Sequence, residues 1–503
     1  MRDWIWTAAF CGYFAFHAVY RWLIGGALGL DEAQMFLWSQ YLAWGYGPQP
    51  PLYSWLQWLA FQLIADPLLA LSLVKNLLLC MTFLCVYAVL RTAHSPVRAG
   101  LATAGLLLLP QIAWESQRAL SHSVLATAMA ALACLIFWTR TLPGKRLGYL
   151  SFGLVAGLGL LSKANFALVP PALVLAALSL PELRARIRFS GLMFSVFASA
   201  LIAFLPVIWI LRNREAALAS TYKLRIDEET GGWITALEGI GATAEAAFLF
   251  LALPLIAGAL IFWRFRVRSS PAVPPTLLDR FLLRTALIGV MLTLAVVLVT
   301  GTTQVKDRWM LPSLYLGGPL VALWFLPRVT AAGHRWYRRL VGTCIALVAL
   351  ILPIELRFGT PGNPVRGGTP VEALAPQLTE TFPDATRVIG DPEWLAASLE
   401  YHHSPWQAEP AHSARLAAGE TALLIWTEEL ERGAKIAARI ADRSGNIVEI
   451  GEHAEISAPY VWQSEMSFTI YAAPLLARKS SKRSGPLAGH HIPPPVGGAP
   501  SAR

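Results

Sequence analysis

The 503-residue chain is 55% hydrophobic and only 14% charged, against about 25% charged residues in a typical soluble domain. So few charges cannot cover the surface of a soluble globule of this length, and the composition therefore indicates a membrane protein. The net charge of +10 does not indicate nucleic-acid binding, because the excess of Lys and Arg lies in short loops, where the rules of membrane topology account for it.

Apolar segments near the length of about 20 residues that crosses a bilayer recur along the chain. They predict about eleven transmembrane helices, at 4–24, 67–90, 97–114, 121–139, 148–162, 165–180, 190–211, 242–263, 284–300, 310–326 and 340–356. No small-residue cleavage site follows the first segment, so we expect a retained helix. The five cysteines lie in apolar segments without metal-ligand spacing, so neither a disulfide nor a metal site is predicted. No cofactor is predicted, and dependence on a divalent metal stays open.

Loop charge predicts the orientation of these helices. Arginine-rich loops, such as 91–98, 184–188 and 328–339, fall on every second connection, and such loops stay in the cytoplasm. We therefore expect a bacterial inner-membrane protein with a cytoplasmic N-terminus and with everything after Leu356 on the periplasmic side.

The first outer loop, Gly25 to Asp66, holds Asp31 and Glu32 and contains neither Lys nor Arg. Its aromatic segments 32–44 and 53–64 predict two amphipathic helices at the membrane interface. An aromatic belt explains the Trp and Tyr residues. It does not explain the acidic pair.

From about Thr369 the composition changes to that of a small soluble α/β domain. Helices are predicted at 371–382, 393–401 and 434–442, and strands at 387–390, 422–427, 447–451 and 468–472. No G-x-G-x-x-G fingerprint is present, so no nucleotide site is predicted. The organisation expected is a mainly α membrane domain at 1–356, an outer α/β domain at 369–475 and a disordered, Pro- and Gly-rich tail at 478–503.

The acidic pair belongs to Leu30-Asp31-Glu32-Ala33-Gln34, and Trp44-Gly45-Tyr46-Gly47-Pro48-Gln49-Pro50-Pro51-Leu52 follows it. These motifs resemble the GT-C class of glycosyltransferases that use polyprenyl-phosphate sugars. The branch most similar holds protein O-mannosyltransferases and the bacterial lipid A aminoarabinose and lipopolysaccharide galacturonic acid transferases. The resemblance covers residues 1–356 and is most specific over Asp31–Leu52.

The resemblance implies that Asp31 is the catalytic base, with Glu32 as its helper or structural neighbour. Sugar transfer by direct displacement needs a carboxylate that activates the acceptor hydroxyl, and the resemblance implies inversion at the anomeric carbon. The alternative for Asp31 is a helix cap.

Two positions depart from the pattern of the family. Many relatives carry Lys or His before Pro-Pro-Leu, where this chain has Gln49, and some carry Arg where it has Gln34. Aminoarabinose is therefore not inferred as the sugar. Both glutamines still have hydrogen-bond donors for a sugar or a phosphate.

Cations for the donor phosphate are expected elsewhere on the outer side. Lys163 occupies a turn like one in the relatives, and Lys306 and Arg308 lie in a stretch resembling the R-Y-x-L-P motif of the family. Phosphate binding would use their charge. The alternative is ordinary interfacial snorkelling.

Two further polar residues are possible site members. Lys75 lies about 12 Å into the second predicted span at 1.5 Å per residue, where an ionisable group indicates function or structural pairing. His122 stands where relatives commonly carry a Thr-Asp pair, and a purely structural role is its alternative.

Together these features predict an inverting GT-C glycosyltransferase that moves one sugar from a polyprenyl phosphate donor to an envelope glycolipid or polysaccharide. One alternative is the same fold acting on protein, as a protein O-mannosyltransferase. Another is a flippase or transporter of lipid-linked saccharides, which should show internal repeats and broken helices at mid-membrane. A scaffold that displays the outer domain would leave Asp31, Lys163 and Lys306 unexplained.

Overall fold

The computed structural model describes residues 3–225, 232–267, 274–403 and 405–479. The longer helices are α1 Asp3–Ile24, α2 Leu30–Trp38, α3 Leu52–Leu63, α4 Pro67–Arg91, α5 Pro96–Ala104, α6 Ser121–Ile136, α7 Arg146–Leu160, α8 Val169–Leu178, α9 Phe189–Arg212, α10 Trp233–Phe265, α11 Leu277–Thr300, α12 Gly317–Phe325, α13 Ala331–Pro353, α14 Val371–Thr381, α15 Glu393–His402 and α16 Arg432–Ser444. The strands are β1 Arg387–Asp391, β2 Gln407–Pro410, β3 Thr421–Trp426, β4 Ile447–Ile450, β5 Ala454–Pro459 and β6 Ser467–Arg478.

Each predicted apolar segment overlaps a helix, but the described residues do not give eleven full spans. Six helices are long and apolar enough to cross a membrane, and eight if each of two bent pairs counts as one span. The segments at 148–162 and 165–180 form shorter apolar helices. Helix α1 has the length of a span, but it is rich in Trp and Tyr, which add little on a hydropathy scale.

The two bent pairs have local causes. Pro96–Leu108 and Gln111–Arg118 meet at 76°, because Pro110 has no N–H to continue the helix. Asp307–Leu314 and Gly317–Arg328 meet at 62°, at Gly317 and Gly318, which favour a helix poorly. The bent pairs touch backbone to backbone, since a Cβ on Gly105 would lie 2.8 Å from the carbonyl oxygen of Gly318.

The spanning helices differ in how much of their surface the protein covers. The apolar windows of α4 and of the α6 span are 67% and 72% buried, whereas those of α9 and of the α13 span are only 22% and 17% buried. On α9, Phe189, Phe197 and Leu201 are more than half exposed. Such apolar surface is stable only against lipid, so α9 and α13 are lipid-facing helices and α4 and α6 are interior ones.

The chain forms two compact units by its internal packing. The first comprises Met1–Ile24 and Ala43–Pro353, and the second comprises Gly25–Leu42 with the chain from Ile354 onward. The second unit contains a mixed sheet in the order β2-β1-β3-β6-β4, in which β5 also pairs with β6. The domain limits drawn from composition stay a prediction, and most of the tail at 478–503 lies outside the described residues.

Both helices predicted between Gly25 and Asp66 are present, with different bounds. Helix α3 ends close to the prediction, but α2 ends at Trp38 and not at residue 44. At Ala43, the backbone N–H donates to the hydroxyl of Tyr46 at 2.9 Å, and the backbone carbonyl accepts from the indole N–H of Trp55 at 2.8 Å. These bonds replace the helical ones.

Candidate functional site

The acidic pair begins α2 in the second unit, and its two members have different surroundings. Glu32 is buried, and its carboxylate accepts a hydrogen bond of 2.8 Å from the backbone N–H of Gly29, the N-cap residue. This is the glutamate half of a capping box. Asp31 is half-buried beside it, and Gln34 is half-buried one turn later. Glu32 therefore provides a capping interaction at this helix start, which is the role considered as the alternative for Asp31.

A second carboxylate faces Asp31 within the same unit. Burial raises the pKa of Glu393, at the start of α15, and the negative charge of Asp31 raises it further. The carboxylate of Glu393 also lies 3.8 Å from the imidazole of His412. A carboxylate beside another carboxylate holds its proton more readily, so Glu393 belongs to the electrostatic surroundings of the motif residue.

In the first unit, the Pro-Pro-Leu turn and the turn of Lys163 are joined. The backbone N–H of Leu52 donates to the carbonyl of Leu161 at 3.0 Å. Ahead of this bond, Tyr46 and Gln49 exchange two backbone hydrogen bonds of 3.2 Å around Gly47, whose φ of +59° favours glycine. The structure therefore fixes the backbone of Gln49 near the Lys163 turn.

The Lys163 turn also contacts the start of α6 and the segment 306–309. The ammonium of Lys163 donates to the hydroxyl of Ser123 at 2.5 Å, next to His122 at the start of α6. The amide of Asn165 donates to the carbonyl of Trp309 at 2.7 Å. The sequence-distant turns at 49–52, 163–165 and 306–309 thus form one connected region.

Lys306 and Arg308 line a cavity of about 760 Å³. Asp307 between them also lines it, and its carboxylate accepts a 2.5 Å hydrogen bond from the amide of Gln111. The other charged residues on the wall are Arg225, Glu115, Glu238 and Glu245. A cavity of this size accommodates a sugar and a phosphate, and its wall combines three cations with four carboxylates.

The two possible site members are both buried in the first unit. His122 is 6% exposed, and its ring lies 5.5 Å from that of Tyr53. Lys75 is 5% exposed on α4, next to Asn76, whose amide oxygen accepts from Gln117 at 3.2 Å. The functional roles of both residues stay predictions.

The acidic wall of the cavity was not predicted from the sequence. Glu238 and Glu245 stand seven residues apart, on one face of α10. Carboxylates in or beside an apolar span indicate function, and these two glutamates could have been found in the sequence by that criterion. Glu393 had no comparable signal, because its proximity to Asp31 arises only from tertiary packing.

Comparison with known proteins assigns the family. A model described as dolichyl-phosphate-mannose-protein mannosyltransferase matches residues 48–210. The chain is 36% identical over 342 residues to the lipopolysaccharide core galacturonosyltransferase RgtB of Rhizobium johnstonii, a match that covers 66% of this chain and 67% of the relative. Its identity to RgtA of the same organism is 31% over 392 residues, or 75% and 77% of the two chains. The chain belongs to the GT-C glycosyltransferases.

The fold of this GT-C enzyme is also that of a solved structure. ArnT from Cupriavidus metallidurans bound to undecaprenyl phosphate superposes with a TM-score of 0.55 at 12% identity, covering 95% of this chain and all of that one. The apo form of that protein gives 0.54. The resemblance drawn from the first-loop motifs is confirmed, and the enzyme is a multi-pass membrane glycosyltransferase.

Proposed function

We propose that this enzyme transfers galacturonic acid from a polyprenyl phosphate donor to the core of lipopolysaccharide. RgtB and RgtA are lipopolysaccharide core galacturonosyltransferases, which supports this sugar and this acceptor, and undecaprenyl phosphate bound to ArnT supports the lipid. The observation that carries the proposal is the cavity lined by Lys306 and Arg308. Its cations match the phosphate of such a donor.

The reaction proposed is a single displacement at the anomeric carbon. The acceptor hydroxyl attacks C1 while Asp31 takes its proton, and the bond between C1 and the phosphate oxygen breaks. The polyprenyl phosphate leaves with the bonding electrons and gains negative charge, which Lys306 and Arg308 stabilise. Attack opposite the leaving group inverts the anomeric carbon.

The remaining site residues have supporting roles in this proposal. Gln34 and Gln49 donate hydrogen bonds to sugar or phosphate oxygens, and Lys163 adds positive charge on the donor side. Glu32 holds the first turn of α2 and thereby positions Asp31. His122 and Lys75 shape the buried polar interior behind the Lys163 turn.

Mass spectrometry of lipopolysaccharide from a deletion strain tests the proposal. We expect the core to lose one galacturonic acid residue, and the wild-type gene to restore it where an Asp31→Asn gene does not. Loss of a sugar from a protein, with unchanged lipopolysaccharide, would instead support a protein O-mannosyltransferase, the activity described for the family model that matches residues 48–210. An unchanged envelope with an accumulated lipid-linked saccharide would support a transporter.

The proposed orientation places the N-terminus in the cytoplasm of a bacterial inner membrane and the chain after Leu356 in the periplasm. It rests on the alternation of arginine-rich loops. Alkaline phosphatase fused after Thr369 should be active, and a cytoplasm-only fluorescent reporter at the same point should be dark. The reverse pattern would contradict the orientation.

A further inference from the structure

The helix that carries the acidic motif belongs to the same compact unit as the C-terminal domain. Residues Gly25–Leu42 pack with the chain from Ile354 onward, although more than 300 residues separate them. Within that unit α2 lies against α15, where the rings of Phe36 and Tyr401 meet edge to face at 6.3 Å.

A hydrogen bond holds the chain just before α2. The backbone N–H of Leu28 donates to the hydroxyl oxygen of Ser398 at 3.0 Å, and this hydroxyl donates in turn to the carbonyl of Trp394 at 2.7 Å. Leu28 and Ser398 are fully buried. A buried N–H left without a partner there would be destabilising, so this bond holds the chain that leads into α2.

A second hydrogen bond holds the chain just after α2. The amide of Gln40 donates to Glu400 Oε1 at 2.9 Å, while Glu400 Oε2 accepts from the backbone N–H of Ala408 at 2.7 Å. Burial raises the pKa of Glu400 to about 7, and the hydrogen bonds from Ala408 and Gln40 oppose the rise. Glu400 thus joins the end of α2 to both α15 and β2.

We propose that Ser398 and Glu400 of the C-terminal domain are positioning residues that clamp both ends of α2 and so hold Asp31 in its catalytic orientation. The two bonds, Leu28 to Ser398 and Gln40 to Glu400, are called the two-point clamp. Asp31 lies in the first turn of α2, and Glu393 lies in the first turn of α15. The C-terminal α/β domain then contributes positioning residues to the acid–base site. The kinetic consequence rests on the proposed role of Asp31.

A positioning role predicts a specific kinetic pattern. A misplaced general base slows the chemical step but leaves donor binding intact, and a displacement of about 1 Å can cost about 10²-fold in rate. We expect Ser398→Ala and Gln40→Ala to lower kcat by about tenfold to a hundredfold, with an unchanged KM for the donor. Gln40 is exposed, so its replacement does not disturb the core.

Ser457→Ala is the matched control. Ser457 is exposed on β5 of the same unit and pairs with the hydroxyl of Thr469 at 2.7 Å. Kinetics of the full-length enzyme are combined with hydrogen exchange of the peptide covering 28–38. We expect faster exchange in both clamp variants and wild-type exchange in the control.

Each outcome decides the proposal. Clamp variants that match Ser457→Ala in kcat, or that lose rate with unchanged exchange in the 28–38 peptide, would overturn the clamp. Loss of kcat together with faster exchange would support it. If the wild type does not turn over a polyprenyl-phosphate galacturonic acid donor, the proposed function fails, while the exchange measurement still shows whether the clamp holds α2.

Discussion

Asp31→Asn is expected to give an enzyme that inserts and binds donor normally but is almost inactive. Loss of a general base typically costs about 10²–10⁴-fold in rate. Asparagine keeps the shape of the side chain and removes its negative charge. Because Glu32 accepts the hydrogen bond from the Gly29 N–H, we expect the start of α2 to survive the replacement. The measurement is kcat of the purified variant with saturating donor and acceptor.

Glu32→Gln is the matched control for this prediction. Glutamine also serves at the third helical position of a capping box, so this variant should keep the helix and most of the activity. If Asp31→Asn retained more than about a tenth of wild-type turnover, less loss than a general base implies, Asp31 would not be the base. A large loss in Glu32→Gln with an active Asp31→Asn would move the catalytic role to Glu32.

Lys306→Gln and Arg308→Gln are expected to weaken both donor binding and the chemical step. A hydrogen bond to a charged group contributes about 1.5–3 kcal/mol, which corresponds to roughly 10- to 150-fold in kcat/KM. The phosphate gains charge as it leaves, so part of the loss should fall on kcat. Steady-state kinetics with varied donor concentration separate the two effects.

Arg264→Gln, which removes an exposed arginine far from the cavity, is the control for these two variants. Arg264 is exposed near the C-terminal end of α10, with its guanidinium 5.3 Å from the ring of Phe265. It lies 19 residues beyond Glu245 on the same helix, about 28 Å at 1.5 Å per residue. Unchanged kinetics in all three variants would leave Lys306 and Arg308 as snorkelling residues only.

The sequence predicted the helices and four of the six strands, because their apolar patterns are local. Strands β2 and β5 were missed, because Gln407-Ala408-Glu409-Pro410 and Ala454-Glu455-Ile456-Ser457-Ala458-Pro459 contain a single β-branched residue between them, Ile456, and each ends in Pro. Each exists because it pairs with a longer neighbour, β2 with β1 and β5 with β6. Pairing of this kind cannot be predicted from the residues of the strand alone.

The candidate site shows the same limit. A motif in one stretch of chain identified Asp31, and outer-side charge singled out Lys163, Lys306 and Arg308. The packing of α2 against α15 joins residues far apart in sequence. The residues around Ser398 and Glu400 form no local pattern that predicts these contacts. Tertiary contacts of polar residues are therefore the part that only the structure supplies.

Transfer of labelled sugar by the purified enzyme in lipid nanodiscs tests the central claim most directly. The donor is polyprenyl-phosphate galacturonic acid labelled in the sugar, and the acceptor is a lipopolysaccharide core from a strain that lacks the enzyme. We expect the label to move to the core with inversion of the anomeric carbon, and free polyprenyl phosphate to form in equal amount. Intact donor after incubation with active, folded enzyme and acceptor would contradict it.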